Sequence, residues 1–402
     1  MDLQYAPEHE EFRESVRAFL KGWPLKGDEA ELPKEEQESL FRQRGIDAGY
    51  VYRGVPTRYG GSGQPNDAIK DRIIREEFYQ AGAPGDLPSQ GAGMLVPTLL
   101  EFGSEEQKER YVARALTNTE SWCQGYSEPG SGSDLASLQC QARLEGDEWV
   151  LNGQKIWTSG AQRADMMFGL FRTEPEAKKH AGISYLLVPM DRDGIEVRPL
   201  REMSGGFEFN EVFFTDVRIP AENIVGERGQ GWAVSRATLI HERNLIGNPF
   251  MIREAFDDLV QLARTRIRNG RPAIEDSGVR QRLAEIEGYV RTSETSNLLQ
   301  FTAAHRGEML TAMRPMMMNK VCSTDTTQRI MKCAYDLLGS DGLLAPLDEE
   351  LNTWSRTTTS TGWVLQYMFS MGPAIAGGAT NIQLNIIGER GYGLPRDLRK
   401  PF

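Results

Sequence analysis

The segment SEPGSGSD (residues 127–134) is the most informative stretch of this chain, together with the segment KIWTSG (residues 155–160) further along. Between them apolar and polar residues alternate, with turn signals at Glu145-Gly146-Asp147 and Asn152-Gly153, which is typical of β-hairpins. Glycine allows a ligand to approach the backbone closely, and serine adds hydroxyl donors to the backbone N–H groups. The two segments therefore predict loops on one β-sheet that face a single anionic or heteroaromatic ligand, although one such run alone is also typical of an exposed loop.

The bulk composition predicts a globular protein of two or three domains, because 402 residues exceed the size that one core normally serves. The net charge of −11 and the lack of a Lys/Arg cluster argue against binding to nucleic acid or to an anionic membrane surface. No apolar stretch is long enough to span a bilayer, and the first residues lack the pattern of a secretory signal. The four cysteines and four histidines show neither metal-ligand spacing nor a disulfide framework. We therefore expect a cytoplasmic protein without a metal site.

The texture of the chain divides it into residues 1–120, which are mainly helical, residues 121–229, which are β-rich, and residues 230–402, which are helical again. Apolar residues recur with the helical period in the first part, and Ser104 with Gln107 forms a capping-box pattern. In the last part, breaks between helices are predicted near Asn269-Gly270, Arg314-Pro315 and residues 339–346. The predicted class is α+β, with a helical N-terminal domain, a middle antiparallel β-domain and a C-terminal helical bundle.

The longer quotations WCQGYSEPGSGSDL (122–135) and NGQKIWTSGA (152–161) resemble the flavin-binding signatures of the acyl-CoA dehydrogenase family. The resemblance continues along most of the chain, in the following segments: PTRYGGSG (56–63), NEVFFTDVRIPAENIVGERGQGW (210–232), DLLGSDGL (336–343) and NIIGERGYGLPRD (385–397). It implies the family's fold, in which a helical N-terminal domain and a middle β-domain precede a C-terminal four-helix bundle. It also implies FAD as cofactor and an acyl-CoA thioester as substrate.

The α,β-dehydrogenation of a thioester requires an organic cofactor such as a flavin. Dehydrogenation between the α and β carbons of a thioester needs a base for the α-proton and an acceptor for the β-hydrogen, and no side chain accepts a hydride. The chain carries no GxGxxG that follows a strand and opens a helix, so a nicotinamide cofactor bound in the usual way is not supported.

The resemblance assigns cofactor contacts in the middle domain. Residues 124–133, which include Gln124, Tyr126 and Ser133, would line the pyrimidine and pyrophosphate side of FAD. Ser127 would form a hydrogen bond with the edge of the flavin ring. Ser133 would also lie near the phosphates of CoA. Trp157 would cover the isoalloxazine ring, and the Ser159 hydroxyl would lie near flavin N5, where a donor stabilises the developing negative charge.

The catalytic base is assigned to Glu242. Many family members carry a glutamate in the last bundle helix, but Gly377 stands at that position here. One branch, which includes the isovaleryl- and long-chain enzymes, places the base on the first bundle helix directly before an arginine, and this chain has Glu242 and Arg243 there. On a helix, Glu242 shares its face with apolar residues, and such surroundings raise the pKa of a carboxyl toward the range of a useful base. The alternative is a Glu242 paired with a cation on a solvated face. Arg243 matches an arginine near the thioester, whereas His241 matches no family residue.

The resemblance assigns further FAD contacts to the C-terminal part, some of them to the cofactor of a neighbouring subunit. Those residues are Arg266, Asp336, Gly339, Ser340, Thr380 and Asn381. Asn269 stands where the family carries an aromatic residue, which puts that one contact in doubt.

Three functions remain open from the sequence. The leading one is an acyl-CoA dehydrogenase that passes electrons to an electron-transfer flavoprotein. The others are an acyl-CoA oxidase and a non-catalytic subunit of a heteromer, which Gly377 favours and Glu242 opposes. A tetramer is expected, built from one chain or from this chain and a homologous one. The motif WCQGYSEPGSGSDL (122–135), together with the C-terminal GLPRD (393–397), resembles a bacterial subgroup of the family that includes enzymes acting on steroid side chains.

Overall fold

The computed structural model of the chain describes residues 5–246, 249–346, 351 and 358–396, with the backbone alone described for residues 243–246, 304, 309 and 310. The chain divides into two compact units. The first unit contains the described residues up to 200 together with 209–242, and the second contains 201–208 together with the described residues from 243 onward. Neither unit contains, within its described residues, a helix with the length and apolar character needed to traverse a lipid bilayer.

The N-terminal part of the first unit is helical, as predicted. Its helices are α1 (Pro7–Leu20), α2 (Lys34–Asp47), α3 (Ala68–Ala81), α4 (Val96–Phe102) and α5 (Glu105–Thr117). The capping box at the start of α5 is confirmed, because the Ser104 hydroxyl accepts from the Gln107 N–H and the Gln107 side-chain oxygen accepts from the Ser104 N–H, both at 3.2 Å. On α1, Val16 and Leu20 are buried and belong to the predicted apolar stripe.

The middle of the chain forms one sheet of eight strands within the described residues. The strands are β1 (Trp122–Gly125), β2 (Gln141–Glu145), β3 (Glu148–Lys155), β4 (Met166–Arg172), β5 (Ile183–Pro189), β6 (Ile195–Pro199), β7 (Asn210–Pro220) and β8 (Ile224–Val225). Their order is β6-β7-β3-β2-β4-β5-β8, with β1 beside β4. Most neighbours are antiparallel, as predicted, but β1 lies parallel to β4 and β2 meets β4 in parallel at one position.

The two predicted turns between the loop segments have different outcomes. The turn at Gly146 is confirmed, since Glu145 pairs with Glu148 across a two-residue loop and Gly146 has a φ of 65°. The turn at Asn152-Gly153 is wrong. Both residues lie inside β3, where the pairing with β7 shifts register between Leu151 and Gly153, so the glycine marks a β-bulge. Glycine is needed there because its φ is 139° and because a Cβ at this position would lie only 2.8 Å from the Cys140 Cα.

The side chains of the sheet alternate between two cores, as the period of a β-strand requires. On β4, Met166, Phe168 and Leu170 belong to the core that includes the N-terminal helices. Met167 and Phe171 belong to a second core on the opposite face. The first core extends into α6 (Gly231–Ile246), whose Val234 is fully buried. The sheet thus fixes α6, through residue 242, against the same face as the N-terminal helices.

The second unit is a helical bundle with a core of its own. Its elements are α7 (Pro249–Thr265), β9 (Ile267–Arg268), β10 (Arg271–Pro272), α8 (Ser277–His305), α9 (Met309–Leu338), α10 (Ser360–Phe369) and α11 (Thr380–Ile386). The break predicted at Asn269-Gly270 is confirmed as the tip of the β9–β10 hairpin. The break predicted at Arg314-Pro315 is wrong, because Pro315 lies inside α9 and the chain turns instead at Gly307, with a φ of 74°. Proline removes one hydrogen bond of α9, a cost that packing of this long helix offsets.

Candidate active site

Two loops extend from the same sheet, and a backbone hydrogen bond connects them. The Ser127 loop (residues 126–134) follows β1, and the Trp157 loop (residues 156–160) follows β3. The Ile156 N–H donates to the Ser127 carbonyl at 2.9 Å. Within the Ser127 loop, Glu128 and Ser131 exchange two backbone hydrogen bonds, at 3.1 and 2.9 Å, around Pro129-Gly130. The two segments singled out from the sequence therefore lie side by side, as predicted.

A buried ion pair connects the same two loops. The Lys155 ammonium, whose side chain is completely buried, donates to the Glu128 carboxylate at 2.8 Å and to the Tyr126 carbonyl at 3.3 Å. The carboxylate also accepts the backbone N–H groups of Gln139 and Cys140, at 2.6 and 2.9 Å. Because each charge is hydrogen-bonded several times, the pair can exist without solvent, and it holds the base of one loop to the base of the other.

The Ser127 loop presents polar groups at its surface. Ser133 is exposed, and Ser127 and Gln124 are half-buried. Asp134 accepts from the Lys179 ammonium and from the Ser137 hydroxyl, at 2.6 and 2.5 Å, and these two donors lower the pKa of the Asp134 carboxyl. Asp134 is thus held at the end of the loop by these two side chains.

Trp157 is the most unusual residue of the second loop. It has a positive φ of 59°, which non-glycine residues seldom adopt, and its indole is 59% exposed. Its one aromatic neighbour among the described residues is Phe209, in an edge-to-face contact with ring centroids 6.0 Å apart. Strained backbone that displays a large aromatic surface is characteristic of ligand sites. Trp157 is therefore not an ordinary buried strand residue.

The remainder of the Trp157 loop is fixed by Asn210, the first residue of β7. The Thr158 N–H donates to the Asn210 carbonyl, and the Asn210 amide donates to the Thr158 carbonyl, both at 3.0 Å. The Thr158 hydroxyl is buried and has no hydrogen-bond partner within the described part of the chain. Ser159 is half-buried, and its carbonyl accepts from the Gln90 amide at 3.4 Å.

Tyr126 has a side chain that points away from the loop surface. It is 5% exposed and lies in the core, where its ring meets those of Phe168 and Tyr185 edge-on. Only the backbone of Tyr126 is thus available to a ligand of the Ser127 loop.

Glu242 is half-buried near the end of α6. It shares a helix face with Ser235 and Thr238, which are fully buried, and with Leu239, which packs against the core. Burial raises the pKa of Tyr126 well above its ordinary value, and the Tyr185 hydroxyl and, less strongly, the Glu242 carboxylate act in the same direction. Beside it, burial lowers the pKa of His241, although Glu101 acts in the opposite direction. The side chain of Arg243 lies outside the described residues, as do those of Leu245 and Ile246.

In the second unit, Arg266 and the end of α9 are joined. The guanidinium donates to the Leu338 carbonyl and to the Asp341 carboxylate, both at 2.6 Å. Gly339 has a φ of 58°, and Gly339 and Ser340 are exposed. Asp336, two residues before the end of α9, is paired with Arg282 at 2.7 Å and with Lys332. Arg266, Gly339 and Ser340 therefore lie at one end of the bundle.

The β9–β10 hairpin explains the absent aromatic residue. Asn269 and Gly270 have φ values of 53° and 77°, and two positive values in a two-residue loop define the type I′ turn, which favours Asn-Gly. An aromatic residue at position 269 is disfavoured by this backbone.

The segment that would carry the alternative base is also shaped by glycine. Gly377 and Gly378 have φ values of 61° and 90°, and a Cβ at Gly378 would lie 2.2 Å from the Gln383 amide nitrogen. The buried Lys320 ammonium donates to the Gly378 carbonyl at 2.8 Å. Thr380 then begins α11, and Asn381 is exposed on it.

Several of these residues were missed by reasoning from the sequence, namely Glu128, Lys155, Asn210 and Asp341. All four stand inside the quoted motifs, but charged and polar residues at the ends of strands and in loops normally indicate solvent contact. Among the described residues, no group of three or more His, Cys, Asp or Glu side chains is arranged to hold a metal ion.

Comparison with known proteins gives matches along the chain. Profiles described as "Acyl-CoA dehydrogenase, N-terminal domain", "middle domain" and "C-terminal domain" match residues 6–119, 123–217 and 229–392. A relative from Mycobacterium tuberculosis, acyl-CoA dehydrogenase IpdE1, is 38% identical over 403 residues, which cover 97% of this chain and 99% of the relative.

Solved structures agree with the sequence relatives. The structure named "Tcur3481-Tcur3483 steroid ACAD" superposes with a TM-score of 0.77 at 28% identity, over 99% of this chain and 100% of that chain. The ChsE4-ChsE5 complex from Mycobacterium tuberculosis superposes with a TM-score of 0.74 at 28% identity, over 98% of this chain and 100% of that one. The three-domain α+β fold expected from the sequence is confirmed, and the chain belongs to the acyl-CoA dehydrogenase family.

Proposed function

We propose that this protein dehydrogenates an acyl-CoA thioester between its α and β carbons and releases a 2,3-enoyl-CoA, with Glu242 as the base for the α-proton. The observation that carries the proposal is the position of Glu242, half-buried on the inward face of α6 in the unit that also holds the two loops. The family's other base position is occupied by Gly377, whose positive φ disfavours a glutamate.

Members of this family are flavoproteins, and the residues present here fit FAD. The exposed indole of Trp157 offers a flat surface to an isoalloxazine ring, and the unpartnered buried hydroxyl of Thr158 lies next to it in the chain. Bound FAD would supply the acceptor for the β-hydrogen. We assign its binding in the first unit to Gln124, the backbone of Tyr126, Ser127, Ser133, Trp157 and Ser159.

The remaining assignments are contacts with the CoA substrate and further FAD contacts in the second unit. Ser133 and Arg243 are proposed to contact the CoA thioester substrate. Further FAD contacts are proposed at one end of the bundle and at the start of α11, by Arg266, Asp336, Gly339, Ser340, Thr380 and Asn381. Because Arg266 is already paired with Asp341, a bound diphosphate would have to share or displace that carboxylate.

The base is tested with Glu242→Gln, which keeps the size of the side chain and removes its basicity. We expect purified wild-type protein to carry non-covalent FAD and to lose its flavin colour anaerobically with an acyl-CoA substrate. Glu242→Gln should keep FAD and reduce the bleaching rate by several orders of magnitude. His241→Ala is the matched control, since it alters the adjacent half-buried residue, and it should retain most of the rate. Bleaching by Glu242→Gln within a few-fold of wild type would reject Glu242 as the base.

A second candidate is a half-site subunit that acts together with a homologous chain. Two of the similar solved structures are each named after a pair of proteins, Tcur3481-Tcur3483 and ChsE4-ChsE5. The type I′ turn at Asn269, where the family carries an aromatic residue, is compatible with a partner that completes the site. Native mass spectrometry of the chain expressed alone separates the two cases. A homotetramer with four FAD supports the first, and flavin-free protein that is restored by co-expression of a homologue supports the second.

The substrate class and the electron acceptor complete the proposal. We infer a bulky acyl group, such as a steroid side chain, because the relative named a steroid ACAD spans nearly the whole chain. Electrons would pass to an electron-transfer flavoprotein rather than to oxygen, and oxygen consumption on substrate addition would indicate the oxidase instead. A reducing, cytoplasmic location is proposed from the cysteines, all four of which are free thiols.

A further inference from the structure

The exposed indole of Trp157 is in contact with the ring of Phe209, the residue directly before β7. The two rings meet edge to face, with centroids 6.0 Å apart and ring planes at 82°. Aromatic pairs prefer this arrangement, because the positive edge of one ring then faces the negative face of the other. Phe209 is half-buried, whereas Trp157 is 59% exposed, so the contact leaves a large part of the indole open to a ligand.

The sheet fixes Phe209 in place. Its carbonyl accepts the Leu200 N–H at 2.8 Å, and it is followed by Asn210, which is completely buried. Asn210 exchanges two hydrogen bonds of 3.0 Å with the backbone of Thr158, the residue after Trp157. The Phe209 ring and the Trp157 backbone are therefore held by the same end of β7.

The conformation of Trp157 needs such support. Its φ of 59° is uncommon for a bulky residue, and a backbone of this kind persists only where the surrounding structure imposes it. The Ile156 N–H, which donates to the Ser127 carbonyl at 2.9 Å, fixes the chain before Trp157, and Thr158 fixes the chain after it. These hydrogen bonds do not fix the side-chain torsions of the indole, whereas contact with the Phe209 ring restricts them.

We propose that Phe209 is a positioning residue, which holds the Trp157 indole in the orientation that receives the flat ring system of FAD. The inference rests on the proposed function, in which Trp157 contacts the isoalloxazine. A side chain that is already ordered before binding loses less conformational entropy when the ligand binds, so the affinity rises without any contact between Phe209 and the cofactor. Phe209 thus acts through Trp157, and its effect requires both rings.

The chain offers a matched control in Phe213, four residues further along. Phe213 lies within β7 and is half-buried like Phe209, but its ring lies beside the Arg198 guanidinium, whose carbon is 4.3 Å from the ring centroid. Phe209→Leu and Phe213→Leu therefore make the same chemical change at two half-buried rings. A general effect of losing an aromatic ring in this part of the sheet would appear in both variants.

The first test measures how fast FAD leaves the full chain. Purified FAD-loaded protein is diluted, and release is followed through the rise in flavin fluorescence. We expect Phe209→Leu to release FAD roughly 2- to 10-fold faster than the wild type, as the loss of one aromatic pair implies when affinity changes appear in the dissociation rate. Phe213→Leu should release FAD at close to the wild-type rate, and equal acceleration in the two variants would overturn the proposal.

A double-mutant cycle shows whether Phe209 acts through Trp157. Trp157→Leu removes the indole and should itself accelerate the release of FAD. In that background, Phe209→Leu should have no further effect, because the ring that it supports is gone. If Phe209→Leu accelerates release by the same factor with and without the indole, Phe209 acts independently of Trp157 and the proposal is overturned.

A second readout observes the indole itself. In FAD-loaded protein labelled with 5-fluorotryptophan, the ¹⁹F signal of Trp157 is assigned by its loss in Trp157→Phe. Phe209→Leu should shift or broaden this signal, because the indole then samples other orientations, while Phe213→Leu should leave it in place. An unchanged Trp157 signal in Phe209→Leu would contradict the positioning role.

Trp157→Leu separates this inference from the proposed function. If it accelerates the release of FAD while Phe209→Leu does not, only the positioning role of Phe209 is rejected. If Trp157→Leu releases FAD at the wild-type rate, Trp157 is not a flavin contact, and the inference fails together with that part of the proposed function.

Discussion

The buried ion pair between Lys155 and Glu128 makes a sharp prediction about stability and cofactor retention. Lys155→Met keeps the length of the side chain and removes the ammonium, which leaves the Glu128 carboxylate buried with only the two backbone donors of Gln139 and Cys140. Removing one partner of a buried pair typically costs about 3–5 kcal/mol, because the remaining charge loses its counterion without regaining water. At roughly 2–4 °C per kcal/mol, the Tm should fall by about 6–20 °C.

The chain offers a matched control in the same loop. Lys179 pairs with Asp134 at 2.6 Å, but these two side chains are 54% and 63% exposed, against 0% and 7% for Lys155 and Glu128. An exposed pair contributes less than about 1 kcal/mol, so Lys179→Met should shift the Tm by no more than about 4 °C. Differential scanning fluorimetry of the wild type, Lys155→Met and Lys179→Met measures these Tm shifts, with FAD content measured in parallel.

Cofactor retention follows from the position of the pair. Since Lys155 and Glu128 stand at the bases of the two loops, we expect Lys155→Met to bind FAD more weakly as well as to melt earlier. Equal Tm values for Lys155→Met and Lys179→Met would refute the reasoning, because burial would then have no bearing on the pair.

Two further predictions concern single residues. Gly153→Ala should destabilise the fold by roughly 2–4 kcal/mol, since it combines a disallowed φ with a clash against the Cys140 backbone, whereas Gly146→Ala, with open space around it, should cost about 1 kcal/mol in chemical denaturation. Similar costs for the two substitutions would contradict the β-bulge. The His241 imidazole should titrate below its ordinary pKa of 6.5 in NMR, because burial disfavours its charged form. Because the pKa of His241 is lowered in the folded protein, the stability that the neutral imidazole contributes is present above pH 6.5 and is lost as the pH falls. His241→Gln should therefore make the Tm depend less on pH on the acid side. A His241 titration midpoint above 6.5 would contradict this prediction.

The fold could be predicted largely because the signals that specify it are local. The capping box at Ser104 needs residues three apart, and the turn at Gly146 needs only its own backbone and two flanking strands. The family motifs added the order of the domains. Local signals also misled, since Asn152-Gly153 has the composition of a turn but serves as a bulge that only the pairing with β7 defines.

The candidate site could be predicted less completely, because burial depends on tertiary partners. Lys155 and Glu128 are far apart in the sequence, and nothing near either residue indicates that its charge is removed from water. The motif predicts Tyr126 among the residues that line FAD, yet its side chain lies in the core between the sheet and the helices. Pro315 has the local signature of a helix end, whereas packing of α9 within the bundle keeps it helical.

The central claim is that this chain removes two hydrogens from an acyl-CoA with Glu242 as the base. The most direct measurement is mass spectrometry of acyl-CoA thioesters after incubation with the FAD-loaded protein and an artificial electron acceptor. We expect at least one bulky acyl-CoA to become lighter by two hydrogens with the wild type and to remain unchanged with Glu242→Gln. Formation of the same product by Glu242→Gln at the wild-type rate would contradict the role of Glu242 as the base. Failure of the FAD-loaded wild type to convert any thioester in a panel from short to steroid acyl chains would contradict the proposed activity.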